Sequence, residues 1–269
     1  MAVDLGAQHH ITLEDLIEKI VHALDHSEPF GLTRWADSSN TAMKFWNADI
    51  KDPGPEGPIV FQYRGARLTY AYYPEYAPVF LHGAQTCDVL GTFVDDIWAK
   101  QIMDTLPLDL TGKPLVMAWC NKFLHARREY VEQVFERPWR TALVGNRMPE
   151  FQGWLAEHFP KLEIVQVGIA KDWPDVAQAI EEFEVTRPEL VLASAGWFTS
   201  CFIGAARDLG AVAISCGHLP DWWMMDPIHA APNTEFPRGI EGAMQHYAAH
   251  YPEKLELMLP VRDIILEAK

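Results

Sequence analysis

The sequence predicts an α/β protein with a Rossmann-like, mostly parallel sheet and helices on both faces. Two observations predict it. Four short runs, Arg140–Gly145 (RTALVG), Leu162–Val167, Leu190–Ala195 (LVLASA) and Ala211–Cys216 (AVAISC), bear little polarity, the last two least. Strands covered on both faces read this way, whereas a strand with one wet face alternates. Between these runs lie amphipathic stretches of helical length, and strands alternating with helices mean crossover connections and a parallel sheet.

In chain order, Thr12 caps a helix from Leu13 to Asp25. Asp15 stands three residues after the cap, and Leu13, Leu16, Ile17, Ile20, Val21 and Leu24 form one apolar stripe. Pro29-Phe30-Gly31 closes the connection, and Leu32 to Trp35 reads as a short strand. Asp37 or Ser38 then opens a helix toward Trp46, and Asp52 to Pro58 (DPGPEGP) is a loop. Residues 52–112 are aromatic-rich and give no consistent element boundaries. Helices are expected at Lys122–Phe135, Pro149–His158, Trp173–Phe183 and Thr199–Leu209, the last stopped by Gly210. The 269 residues are expected to form one domain, with a helix at 12–26, regular βα repeats at 121–218 and a C-terminal extension at 224–269.

Composition removes several function classes. Lys and Arg number 22 against 37 Asp and Glu, a net charge of −15. That field repels phosphate backbones and anionic membranes, which disfavours a protein that coats nucleic acid but allows a local basic pocket. No apolar run reaches membrane-span length, and Met1 to His10 lacks a signal-peptide pattern, so a cytoplasmic protein is expected. Cys87, Cys120, Cys201 and Cys216 show neither a C-x-x-C pair nor zinc spacing, and predict reduced, buried thiols. A hydrolase or other small-molecule enzyme on a similar sheet is a competing class, and the absence of G-x-S-x-G and H-E-x-x-H patterns disfavours its serine-hydrolase and zinc-protease versions.

In an open parallel sheet, ligands sit outside the carboxyl ends of the strands, near a reversal of strand order. LVLASA ends in Ser194-Ala195-Gly196-Trp197 ahead of a helix, and such a turn offers amides and a positive dipole end to a phosphate. Plain turn chemistry asks for that glycine equally. AVAISC ends in Gly217-His218-Leu219-Pro220-Asp221-Trp222-Trp223. His218 is placed for proton transfer or a diphosphate contact, Asp221 lies close by, and Trp222 and Trp223 can floor a sugar or base pocket, for donor sugar or acceptor. The plain alternative is a half-buried histidine holding a carbonyl. Arg34 and Asp37 flank a strand-to-helix corner, where they suit a phosphate and a sugar hydroxyl or metal, although Asp37 also suits an N-cap. Asp88, Asp95 and Asp96 are further acidic candidates. Lys122 opens a helix from which it can face a diphosphate, while Arg127 and Arg128 read as partners of Glu129 and Glu132.

Together these corners resemble the GT-D-type glycosyltransferases, a nucleotide-sugar family. GLTRWADSS (31–39) resembles the family's R-F-G-D-G-E segment, with Arg34 and Asp37 on its Arg and first Asp. RPELVLASAGWFTSCFIGAARDLGAVAISCGHLPDWW (187–223) resembles its closing strand–helix–strand, which ends in D-I-G-H-x-D. Gly217 and His218 match, and Asp221 falls one position later. CDVLGT (87–92) is similar to a segment near the family's donor site, which puts Asp88 among the donor contacts. The resemblance covers roughly residues 30 to 225.

It implies a UDP-sugar donor and a divalent cation, manganese or magnesium, held through a D-x-E acid pair. Here Ser39 stands at the Glu of that pair and Ser215 at the Asp before the glycine. It further implies that Arg34, Lys122, Ser194 and the backbone near Gly196 and Gly217 hold the donor diphosphate. Asp37 would hold the sugar or a cation, and His218 or Asp221 would take the acceptor's proton. The acceptor is a hydroxyl on a glycan, a protein side chain or a modified DNA base. A nucleotide-binding protein without transfer activity is the alternative. The aromatics between Tyr63 and Trp98 fit a core, a subunit interface of an oligomer or an acceptor cleft.

Overall fold

The computed structural model describes residues 11–35, 60–63, 66–92, 108–110, 112–118, 120–125 and 127–224. Helix α1 (Leu13–His26) starts at the expected capping box: Asp15 N–H donates to Thr12 Oγ1 at 3.0 Å, and Thr12 N–H donates to Asp15 Oδ2 at 3.0 Å. Its stripe of Leu16, Ile17, Ile20 and Leu24 is buried. Strand β1 (Phe30–Arg34) follows, then an antiparallel hairpin of β2 (Val60–Tyr63) and β3 (Ala66–Thr69), helix α2 (Tyr73–Thr86) and β4 (Val89–Thr92). The chain continues through β5 (Leu115–Met117), α3 (Cys120–Leu124), α4 (Arg128–Phe135), β6 (Arg140–Gly145) and α5 (Met148–His158). It ends with β7 (Glu163–Gly168), α6 (Trp173–Thr186), β8 (Leu190–Ser194), a 3-10 turn at Gly196–Phe198, α7 (Thr199–Asp208), β9 (Val212–Ser215) and α8 (Leu219–Trp223).

Seven of these strands form one all-parallel sheet in the order β5-β4-β1-β9-β8-β6-β7. Connections that step toward the β7 edge carry α3, α4 and α5 on one face. Those that step toward the β5 edge carry α2, α6 and α7 on the other. One hand of crossover sorts helices in this way. Strand alternation feeds both cores: Leu143, Leu190, Leu192, Val212 and Ile214 point to the α1–α4–α5 face, and Ala142, Val144, Val191, Ala193 and Ala213 to the other. The second face carries smaller side chains, and α2 and α7 cross there almost backbone to backbone. A methyl on Gly83 would stand 1.8 Å from the Ser200 carbonyl oxygen.

Two expectations change. The helix expected over Lys122–Phe135 is two helices, because Arg127 takes an extended conformation (φ −89°, ψ 119°). An unbroken helix continuing the buried Cys120–Leu124 face would carry Arg127 and Arg128 into the core. The break resets the face, so Tyr130, Val134 and Phe135 are buried and Arg128 stays exposed. Within 52–112 the chain forms the hairpin, α2 and β4. Pro74 in the first turn of α2 and Pro78 inside it had hidden the helical pattern. The helix expected after Asp37, the Asp52–Pro58 loop and the C-terminal extension lie outside the described residues. No helix among the described residues is long and apolar enough to cross a membrane.

Candidate active site

The order of the sheet reverses between β6 and β8, whose chains leave in opposite directions, toward β7 and toward β9. That divergence opens a crevice at the carboxyl ends. Gly145 ends β6 with φ +145°, and a methyl there would lie 2.2 Å from the Ser194 carbonyl oxygen of β8. Arg34 ends β1. Its Nε donates to the Ala118 carbonyl at 2.5 Å, just past β5, so the side chain crosses the end of β4. Gly91 permits this crossing, since a methyl there would be 2.9 Å from Arg34 Cγ. The guanidinium lies against Gly217, where a methyl would be 2.1 Å from Nη1. Gly217 has φ +57°, so glycine is demanded by the backbone as well as by the neighbour.

The turn after β9 is held from several sides. Cys216 N–H donates to the Ala193 carbonyl at 2.8 Å. The Cys216 carbonyl accepts from Asn121 Nδ2 at 2.8 Å, and the Gly217 carbonyl accepts from Ser194 Oγ at 2.5 Å. Half-buried His218 comes next, followed by α8. Asp221 on α8 forms an ion pair with Arg147, Oδ1 to Nη1 3.6 Å, and Arg147 also lies 3.4 Å from Glu150. Arg34, His218 and Arg147, the last paired with Asp221 and Glu150, therefore stand at or just past the ends of β1, β9 and β6.

A family model for the GT-D fold-like domain matches residues 11–223, a span from just before α1 to the end of α8. The chain belongs to the GT-D fold-like family. No curated protein and no solved structure matches it.

Against this GT-D fold-like sheet the predicted residues divide. Arg34, Ser194, Gly217, His218 and Asp221 gather at the strand ends. Gly196 (φ +56°) is there too, although the amide before it, Ala195 N–H, is taken by Thr199 Oγ1 at 3.3 Å. Lys122 and Trp222 sit on α3 and α8, with side chains outside the described set, and Asp37 and Ser39 lie outside it altogether. Asp88 is elsewhere. It precedes β4 at the amino edge of the sheet, where it accepts from Gly31 N–H at 2.8 Å and from Arg207 Nε and Nη2 at 2.8 and 3.0 Å. It ties β1 to α7, at the edge of the sheet opposite the strand ends where Arg34 and Gly217 stand. Trp223 also has a different role: Leu219 and Trp223, one helical turn apart, face the core. The Trp223 ring meets those of His125, Phe135, Phe151, Trp154 and Phe159 at centroid distances of 4.9 to 6.0 Å. It anchors α8.

Arg147 and Asn121 were missed by the sequence reading. Arg147 had a usable signal, a Gly-Asn-Arg at the end of an apolar strand. Asn121 had none beyond its place beside Lys122.

Behind Arg34 lies a buried polar cluster. His125 is buried and its ring nitrogens have no hydrogen-bond partner, and the same holds for the Tyr130 hydroxyl and Asn121 Oδ1. Burial, aided by the Arg34 charge, pushes the His125 pKa down to about 3, so the ring is neutral. Burial raises the Cys216 thiol to about 12 and the Cys120 thiol to about 11, so neither is a nucleophile at neutral pH. The described donors do not fit a divalent cation. Among the described residues, the carboxylates beside Arg147 (Asp221 and Glu150) are already paired with it, and no group of three or more His, Cys, Asp or Glu could hold a metal. A groove of about 430 Å³ runs along α1, but Glu14, Asp15, Glu18, Asp25 and Glu129 line it, and such a wall repels a diphosphate.

Proposed function

We propose that this chain is a glycosyltransferase that moves a sugar from a nucleoside-diphosphate donor, a UDP-sugar, to a hydroxyl acceptor. The convergence of Arg34, His218 and the Arg147–Asp221 pair on the strand-order reversal of a GT-D fold-like sheet carries this reading. In the sugar-transfer step the bond between the anomeric carbon and the diphosphate breaks, and charge builds on the leaving oxygens. Arg34 supplies positive charge of the kind such a leaving group needs, while Arg147 is paired with Asp221 and Glu150 and holds α8 beside it. The acceptor hydroxyl forms the new bond and gives up a proton. Asp221 is paired with Arg147, and His218, next to Gly217 in the turn after β9, is the residue we propose to accept that proton. Asp37, from the resemblance, would contact the donor sugar. The reading routes no step through a metal ion.

Calorimetric titration with UDP and UDP-sugars, with and without manganese, tests donor binding, and release of UDP in the presence of candidate acceptors tests transfer. Arg34→Ala is expected to cost about 100-fold or more in kcat/KM. Arg34→Lys is expected to recover little, because an ammonium lacks the planar fork. Normal turnover by Arg34→Ala would end the assignment. A second reading, nucleotide binding without transfer, is favoured by Ser215, a buried hydroxyl where the family pattern has an acid. It predicts the same UDP affinity with no product from any acceptor.

A further inference from the structure

We infer that Asn121 and Ser194 are positioning residues that clamp the Gly217–His218 turn and so set where the His218 imidazole stands; this rests on the proposed transfer reaction only for its kinetic consequence. Two consecutive carbonyls, those of Cys216 and Gly217, are each taken by a side chain from a different element: Asn121 at the start of α3 (2.8 Å) and Ser194 at the end of β8 (2.5 Å). A short βα turn facing solvent needs no such help, since water can satisfy its carbonyls. Here the backbone is also fixed by the Cys216 N–H bond to Ala193, and there is no room for a side chain on Gly217. A methyl there would meet Arg34 Nη1 at 2.1 Å and Asn121 Nδ2 at 2.7 Å. Four elements, β1, α3, β8 and β9, thus over-determine one residue of positive φ, and the next residue is His218. Backbone held this firmly in a sparsely populated conformation is how a fold preorganises a reactive side chain.

Asn121 is 3% exposed and its Oδ1 has no hydrogen-bond partner. An isolated stability role would favour an apolar residue of that size, because an orphaned acceptor costs free energy. The amide is retained for what its nitrogen does, which is to hold the turn. Ser194 is assigned the same task, so its hydroxyl proton faces Gly217 and not a phosphate.

The test uses Ser194→Ala, Ser194→Thr and Asn121→Ala in the full chain, with melting temperature checking that each folds. The first readout is the His218 imidazole resonance followed by NMR through a pH titration, which reports the turn whether or not sugar is transferred. Ser194→Ala and Asn121→Ala are expected to shift or broaden that resonance and move its titration midpoint, and Ser194→Thr, which keeps the hydroxyl, to restore it. The second readout is kinetic: kcat falls by about 100-fold with donor KM changed less than about threefold, and Ser194→Thr recovers most of it. An unchanged His218 signal in a folded Ser194→Ala would overturn the clamp, as would a loss confined to donor KM, which would make Ser194 a direct ligand. If wild-type protein transfers nothing while the NMR response holds, the transferase reading fails and the clamp stands.

Discussion

Replacing Gly217 by alanine separates a backbone effect from a site effect, because the same chain offers a matched control. Gly217 and Gly210 both have positive φ, +57° and +88°. An L-residue in that region costs roughly 1–2 kcal/mol. For a chain of this length each kcal/mol corresponds to about 2–4 °C in Tm, so both variants should lose a few degrees. Their surroundings differ. A methyl at Gly210 meets nothing within 4 Å, whereas one at Gly217 stands 2.1 Å from Arg34 Nη1 and 2.7 Å from Asn121 Nδ2. Carbon and nitrogen rest at about 3.5 Å or more, so the guanidinium must retreat by more than about 1 Å. It cannot do so and keep its 2.5 Å bond to Ala118. In the proposed transfer, a displacement of that size at a charge meeting the leaving group would cost about 100-fold in rate. Melting temperature and UDP affinity would be measured on both variants, and turnover on whichever acceptor the wild type uses. Gly210→Ala should lose stability alone, and Gly217→Ala should lose UDP affinity and kcat as well. Equal UDP affinity in the two would show that Arg34 does not hold the donor.

Two further predictions concern residues away from the reacting groups. Asp88→Asn should lower stability by about 1 kcal/mol, since its partner Arg207 is partly solvated, and should leave UDP affinity untouched, which urea melts and calorimetry would check. His125 stays neutral in the folded protein down to about pH 3, while an unfolded-chain histidine protonates below about 6.5. Above about pH 6.5 the two states bind protons equally at this site. Below it the unfolded state binds more, and stability falls by about 1.4 kcal/mol per pH step toward pH 3. His125→Phe, which fills the same aromatic niche among Tyr130, Phe135 and Trp223, should flatten that part of the stability–pH curve. An unaltered acid slope in His125→Phe would place the sensitivity at other groups.

The parts of the fold legible in the sequence were those decided by local pattern. The capping box of α1 and the apolar strands β6, β8 and β9 needed only spacing and composition, and they fall within a residue or two of expectation. Helix α2 was hidden because its buried residues (Tyr76, Ala77, Phe80, Gly83, Ala84) include small ones chosen for closeness to α7, and its first turns carry two prolines. The break before α4 was hidden for another reason. A run of helix formers says nothing about which face the core will demand, and that demand turns the chain at Arg127.

The same distinction divides the candidate site. Strand polarity was the missing step for Asp88: a four-residue strand spans about 13 Å, so the acid before β4 and the glycine near its end serve opposite edges of the sheet. CDVLGT does reach the strand ends, but through Gly91, which makes room for the Arg34 stem. Arg34 and His218 could be found because a strand-end cation and a histidine in a glycine turn carry their chemistry in their own residue type. Asn121 could not, since its meaning lies in the Cys216 carbonyl 95 residues away. Arg147 acquires a role only when β6 is known to lie beside β8, which brings Asp221 to it. In an acidic chain of net charge −15 the proposed diphosphate donor would need a local reversal of sign, and the strand order brings Arg34 to the end of β1 beside the Gly217 turn after β9. The reversal belongs to the strand order and not to any segment, so no stretch of sequence displays it.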